Sequence, residues 1–112
     1  MKIYICCPYS DYYYAIRQGR FVCVSEYAAL LLSQGNMVFS PVTHMHPICN
    51  AIFMDHGFEH GEEFMKWADE VHVYQLDGWK ESKGVKSEIE MAKKLGKEVK
   101  YIPYKYPFPE RF

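Results

Sequence analysis

The chain has 112 residues, its Lys and Arg nearly balance its Asp and Glu to leave a formal charge of −1, and aromatic residues make up 17% of it. That length supports one hydrophobic core and not two, so every functional group shares a single domain. Basic residues are scattered rather than gathered in a stripe, which argues against a nucleic acid polymer as partner, and no apolar run approaches the roughly 20 residues that cross a bilayer, so the expected setting is the cytoplasm with no membrane contact.

Lys2-Ile3-Tyr4-Ile5-Cys6-Cys7 is a short apolar run stopped by Pro8, as in a buried parallel strand. Phe21, Val24, Ala28 and Leu31 then recur at helical spacing until Gly35-Asn36 supplies a stop. Met37-Val38-Phe39 reads as a second strand ending at Ser40-Pro41 and leading into Thr43-His44-Met45-His46-Pro47. Between Ile48 and His60 the apolar residues keep neither period, which predicts a loop or broken helix. Phe64, Met65 and Ala68 fit the inner face of a short helix, and Val71, Val73 and Leu76 a third strand. After the loop Asp77 to Gly84, a helix carries Val85, Ile89, Ala92 and Leu95 on one face and stops at Gly96; Val99 to Ile102 is the last strand, closed by Pro103.

Strands alternating with helices predict a flavodoxin- or Rossmann-like three-layer α/β sandwich over residues 1–103, with a parallel sheet of four to five strands in the order 2-1-3-4. Ligands of such sheets bind beyond the carboxyl ends of the strands at the switch point, here between the first and third. Pro8 to Asp11, Pro41 to His46 and Asp77 to Gly84 therefore surround one cleft. The tail, residues 104–112, holds too many Tyr, Phe and Pro residues to leave in water, and a homo-oligomer contact (dimer or higher) is its most economical use. The four cysteines, Cys6, Cys7, Cys23 and Cys49, show no C-x-x-C spacing and read as reduced, mostly buried thiols.

Glu88 is the best candidate for a reactive group. It is expected in the first turn or so of its helix, where free amides and the helix dipole favour an ionised carboxylate by about 0.3–1 kcal/mol. The alternative is an ordinary glutamate stabilising its own helix. His44 and His46, two apart at a strand end, point to the same side of an extended chain and are candidates to protonate a base or grip a phosphate; satisfied loop histidines are the competing reading. Tyr9 overlooks the cleft, and Trp79 either stacks on a base or covers the core edge. His56-Gly57-Phe58-Glu59-His60 matches the H-x-x-E-H string of metalloproteases, but Gly57 inside it argues against one continuous helical face, so no metal is expected.

The run from Gly78 to Ala92, with Gly84, Glu88 and Ser82 at its centre, resembles the signature of the nucleoside 2-deoxyribosyltransferase-like superfamily. The resemblance extends to Ile3-Tyr4-Ile5 with Pro8-Tyr9-Ser10, to Arg20, and to Phe39-Ser40-Pro41-Val42-Thr43-His44-Met45-His46-Pro47, a segment similar to an uncharacterised phage and bacterial branch. It implies cleavage of the bond between a nucleobase and (deoxy)ribose through a covalent sugar on Glu88, with no cofactor, a task akin to that of a retaining glycosidase. In the superfamily a serine six residues before the nucleophile, here Ser82, marks hydrolases of nucleoside monophosphates, where it contacts the 5′-phosphate. Gly84 and the helix N-terminus suit such an anion site, and Arg20 and Arg17 offer counter-charge; solvated surface charges are the alternative for both arginines. The resemblance also implies Tyr9 beside the sugar. One position departs from the pattern: where an acid is expected on the helix before the third strand, this chain has Gly61, leaving Glu62, Glu63, Asp69 and Asp77 as substitutes. The expected function is hydrolysis of a nucleoside 5′-monophosphate. The alternatives are deoxyribosyl transfer to another base, or binding of a nucleotide without turnover.

Overall fold

The computed structural model describes residues 1–52 and 61–104. The apolar run after Met1 becomes β1 (Lys2–Cys6), and its parallel neighbours are β2 (Met37–Phe39) and β3 (Glu70–Gln75). β3 pairs in turn with β4 (Glu98–Pro103), giving the four-stranded order β2-β1-β3-β4. The helices are α1 (Tyr14–Ser33), α2 (Pro41–Ile52), α3 (Gly61–Trp67) and α4 (Lys83–Lys94). With two strands to bond and helices over both faces, β1 is buried almost from end to end.

Strand alternation divides the core in two. Ile3, Ile5 and Cys7 pack with Val24, Tyr27 and Leu31 of α1 and Val42 of α2, whereas Tyr4 and Cys6 pack with Met65 of α3 and Val85 and Ala92 of α4. The architecture is thus the Rossmann-like α/β sandwich with its switch point between β1 and β3. Gly35 and Gly96 follow α1 and α4 in the left-handed conformation, at the two helix stops expected from sequence. Among the described residues no helix is long and apolar enough to cross a membrane.

One element differs from expectation. Ser40-Pro41 ends β2, but it also starts α2: the Ser40 hydroxyl accepts from the Thr43 amide at 3.3 Å, and Pro41 fills the first helical position, where no amide is needed. The segment from Thr43 to Pro47 is therefore helical rather than extended, and the helix runs on to Ile52, into the stretch where the sequence predicts a loop or broken helix. The H-x-x-E-H string and the tail from residue 105 onward lie outside the described residues. Tyr104, the first residue of that tail, sets its ring edge-on to Tyr74 of the same chain with centroids 5.9 Å apart.

Ser40 is buried and caps the helix start, so Ser40→Ala should lower stability by about 1 kcal/mol, while Ser40→Asp retains an acceptor and most of that stability. Denaturant midpoints of the two variants measure the difference.

Candidate active site

Glu88 follows the N-cap of α4 by six residues, so it sits in the second turn rather than the first. With Val85, Ile89 and Ala92 it forms the stripe at helical spacing that faces the sheet. This places a carboxylate at an inward position, over β1. Its Oε2 accepts a hydrogen bond of 2.6 Å from the Tyr4 hydroxyl, and the Cys6 thiol supplies a second. No ion pair joins it to a cation among the described residues. Burial dominates the two hydrogen bonds, and the Glu88 carboxyl is pushed up to about 7. The helix dipole offsets this little, because it is felt within the first turn and Glu88 lies beyond it. Burial and the neighbouring Glu88 charge also push the Tyr4 hydroxyl and the Cys6 thiol far up, so both remain protonated donors.

Tyr4 is the residue that sequence reasoning misses, because it assigns Tyr9 to the nucleophile's side. In the structure the Tyr9 hydroxyl meets His46 Nδ1 at 2.6 Å, and His46 Nε2 meets Gln18 Oε1 at 2.6 Å. His46 is buried against Tyr9, Tyr14 and Phe21, and burial, with Arg17 nearby, lowers its pKa. It is a satisfied core histidine. Because residues two apart on a helix are turned by about 200° from one another, His44 leaves in another direction. Its ring lies near Phe39 and Phe64, 5.7 and 6.5 Å away by centroids, and Phe39 in turn borders Tyr4 at 5.8 Å. An aromatic floor therefore links His44 to the partner of Glu88.

Ser82 is the N-cap of α4, its hydroxyl oxygen accepting from the Val85 amide at 3.2 Å, and Gly84 is exposed in the first turn behind it. Pro8 is buried at the end of β1, with Ser10 exposed beyond it. Arg17 donates to the carbonyls of Asp11 and Tyr12, and Arg20 to those of Tyr9, Ser10 and Asp77, so both guanidiniums hold backbone. Trp79 packs on the core and lies 5.8 Å from the Tyr101 ring, covering the edge of β4. Of the substitute acids, Glu63 pairs with Lys66, Asp69 accepts from the Lys2 amide, and Glu62 and Asp77 are exposed; none is bonded to Glu88. No group of three or more metal-ligating side chains occurs among the described residues. Two open cavities flank the region, of about 290 Å³ along residues 75–81 and about 360 Å³ between Phe39, Phe64 and Trp67, and Glu88 lines neither.

The fold and its buried carboxylate define a Rossmann-like α/β domain with a titratable acid over the central strand. The chain belongs to the family described as a domain of unknown function, DUF1937, whose model matches residues 1–103. No curated protein matches it.

Because the carboxyl titrates near 7 when folded and near 4.5 when unfolded, the proton favours folding. This contribution is complete below about pH 4.5 and is lost as the pH rises through about 7. Glu88→Gln removes the charge and keeps an acceptor for Tyr4, so at pH 8 it should be more stable than the parent by about 1–2 kcal/mol, a figure reduced for the partial exposure of the residue. At pH 4.5 the two should coincide. Denaturation at both pH values tests the difference, and Tyr4→Phe should move the Glu88 carboxyl resonance in a carbon NMR titration to still higher pH.

Proposed function

We propose that this protein is an N-glycosidase of nucleoside 5′-monophosphates with Glu88 as nucleophile. The observation that carries the reading is a carboxylate held inside the protein by two neutral donors, with no ion-paired cation among the described residues. A buried charge of that kind costs stability, which fits a group kept for chemistry. The resemblance to nucleoside 2-deoxyribosyltransferase-like proteins around Ser82, Gly84 and Glu88 supplies the substrate class.

In this mechanism a Glu88 oxygen attacks the anomeric carbon as the bond from carbon to the base nitrogen breaks. The bonding pair leaves with the base, which takes a proton, and His44 on the aromatic floor is the proposed donor. Water then attacks the sugar ester, giving the free sugar phosphate and restoring the carboxylate. The Ser82 hydroxyl and the free amides at the start of α4 would receive the 5′-phosphate. Transfer to a second base instead of water differs only in the acceptor.

Gly61 stands where the superfamily pattern calls for a second acid, and no other carboxylate is bonded to Glu88 among the described residues. That feature favours a second reading, a protein that binds the nucleotide without turnover.

Incubation with a panel of nucleoside and deoxynucleoside monophosphates should release free base, with a bell-shaped pH profile whose acidic limb follows Glu88 ionisation through about 7 and whose alkaline limb marks loss of the donor's proton. Glu88→Gln should lower the rate by several orders of magnitude with binding retained, because the lost interaction belongs to the transition state. Ser82→Ala should raise KM about tenfold for the monophosphate and leave the nucleoside unaffected. Tight binding with no free base would replace the enzymatic reading by the binding one; base exchange on adding a second base would make it a transferase.

A further inference from the structure

We propose that Arg20 is a positioning residue, a clamp that sets the spacing between the two loops framing the site, and not a ligand of the substrate. Its effect on turnover rests on the N-glycosidase reading; its effect on the loops does not. Arg20 Nη1 donates to the carbonyls of Tyr9 at 3.3 Å and Ser10 at 3.0 Å, and Nη2 donates to the carbonyl of Asp77 at 3.1 Å. The first two belong to the loop between β1 and α1, the third to the loop between β3 and α4. One planar fork thus joins loops that meet only across the switch point. These three contacts commit both amino nitrogens of the guanidinium to backbone and leave Nε and one Nη2 hydrogen outside the clamp.

The neighbours of Arg20 are shaped around this use. Gly78 follows Asp77 with φ +87°, and a Cβ there would stand 2.9 Å from Arg20 Nη2. The loop backbone therefore lies against the guanidinium, and a side chain there would have to displace the end of Arg20 as well as adopt a left-handed backbone. Tyr9 is held twice, its carbonyl by Arg20 and its hydroxyl by His46. Arg17 takes the next two carbonyls, of Asp11 and Tyr12, so four successive carbonyls of one loop are turned onto the arginines of α1. The tethered Asp77 stands five residues before Ser82, the N-cap of the helix that carries Glu88. Arg20 therefore acts on the reacting atoms through the placement of α4 and β1 in this proposal.

The test compares the parent with Arg20→Ala, Arg20→Lys and Gly78→Ala on a nucleoside and on its 5′-monophosphate, together with amide hydrogen exchange of each protein without substrate. A clamp predicts a kcat loss on the order of a hundredfold on both substrates, the scale that a misplacement of about 1 Å produces. Lysine should not rescue, since one ammonium cannot span three carbonyls in fixed directions. Gly78→Ala should reproduce the loss with Arg20 still present, and combining it with Arg20→Ala should add little. A loss confined to KM for the monophosphate and recovered by lysine would make Arg20 a phosphate ligand and overturn the proposal. Exchange decides it independently of turnover: residues 9–12 and 77–81 should lose protection together in Arg20→Ala, and a change in neither loop, or in one alone, overturns the clamp. A parent that releases no base in any assay would remove the glycosidase reading and leave the exchange result to stand by itself.

Discussion

The hydrogen bond from Tyr4 to Glu88 is the constraint to which the surrounding structure is fitted. It requires β1 in the middle of the sheet, so that Tyr4 and Cys6 face α4 while Ile3 and Ile5 face α1. It also requires α4 to place an acid on the stripe that otherwise carries Val85, Ile89 and Ala92. Glu70 shows that the protein can bury a carboxylate in the ordinary way. Burial raises its pKa, but hydrogen bonds from His72 at 2.7 Å and Lys100 at 3.2 Å outweigh that effect and hold it below the usual range. The same residue type near the same sheet is thus displaced in opposite directions, and the difference lies in the partners: cationic or basic groups around Glu70, neutral donors around Glu88.

Much of the fold is legible in the sequence because it rests on period and punctuation. Alternation with short apolar runs marks the strands, and Gly35 and Gly96 mark helix ends, which together lead to the order 2-1-3-4. The start of α2 escapes a sequence reading because Ser40-Pro41 serves two purposes, as the end of a strand and as a cap followed by proline, and the first masks the second. Glu88 stands out in the sequence for its place near a helix start, yet its inward aspect follows from its spacing to Val85 and Ala92 and is available from the same stripe. Tyr4 is open to the same logic, since alternation along β1 separates it from Ile3 and Ile5. The partners of His46 and His72 are not readable: Tyr9 and Tyr27 lie 37 and 45 residues from them, and no local pattern encodes such a pairing.

The α1 face of the sheet holds its polar groups in closed chains. Tyr27 meets His72 at 2.6 Å and His72 meets Glu70, just as Tyr9 meets His46 and His46 meets Gln18. In each case an imidazole bridges a hydroxyl and an oxygen acceptor, so buried hydrogen-bonding capacity is used rather than left open. The exception lies on this same face: the buried Tyr74 hydroxyl, stacked on Tyr27, is the one buried side-chain polar atom among the described residues without a hydrogen-bond partner. Satisfied chains make that face suited to fixing the loops after β1, and Arg17 and Arg20 continue the same task outward from α1 onto backbone carbonyls.

The α4 face has the opposite character, and the proposed chemistry accounts for it. A cation beside Glu88 would stabilise its charge at every stage and would also repel the positive charge that develops at an anomeric carbon when a glycosidic bond breaks. Neutral donors orient the carboxylate without opposing that charge, and burial strengthens the attraction between the two by lowering the local dielectric. The accompanying rise in pKa is the cost of this arrangement, since a fraction of the protein carries a protonated, unreactive acid near neutral pH. A tyrosine and a thiol whose own protons are held far above neutrality are suited to the task, because they remain donors throughout the range in which Glu88 changes state.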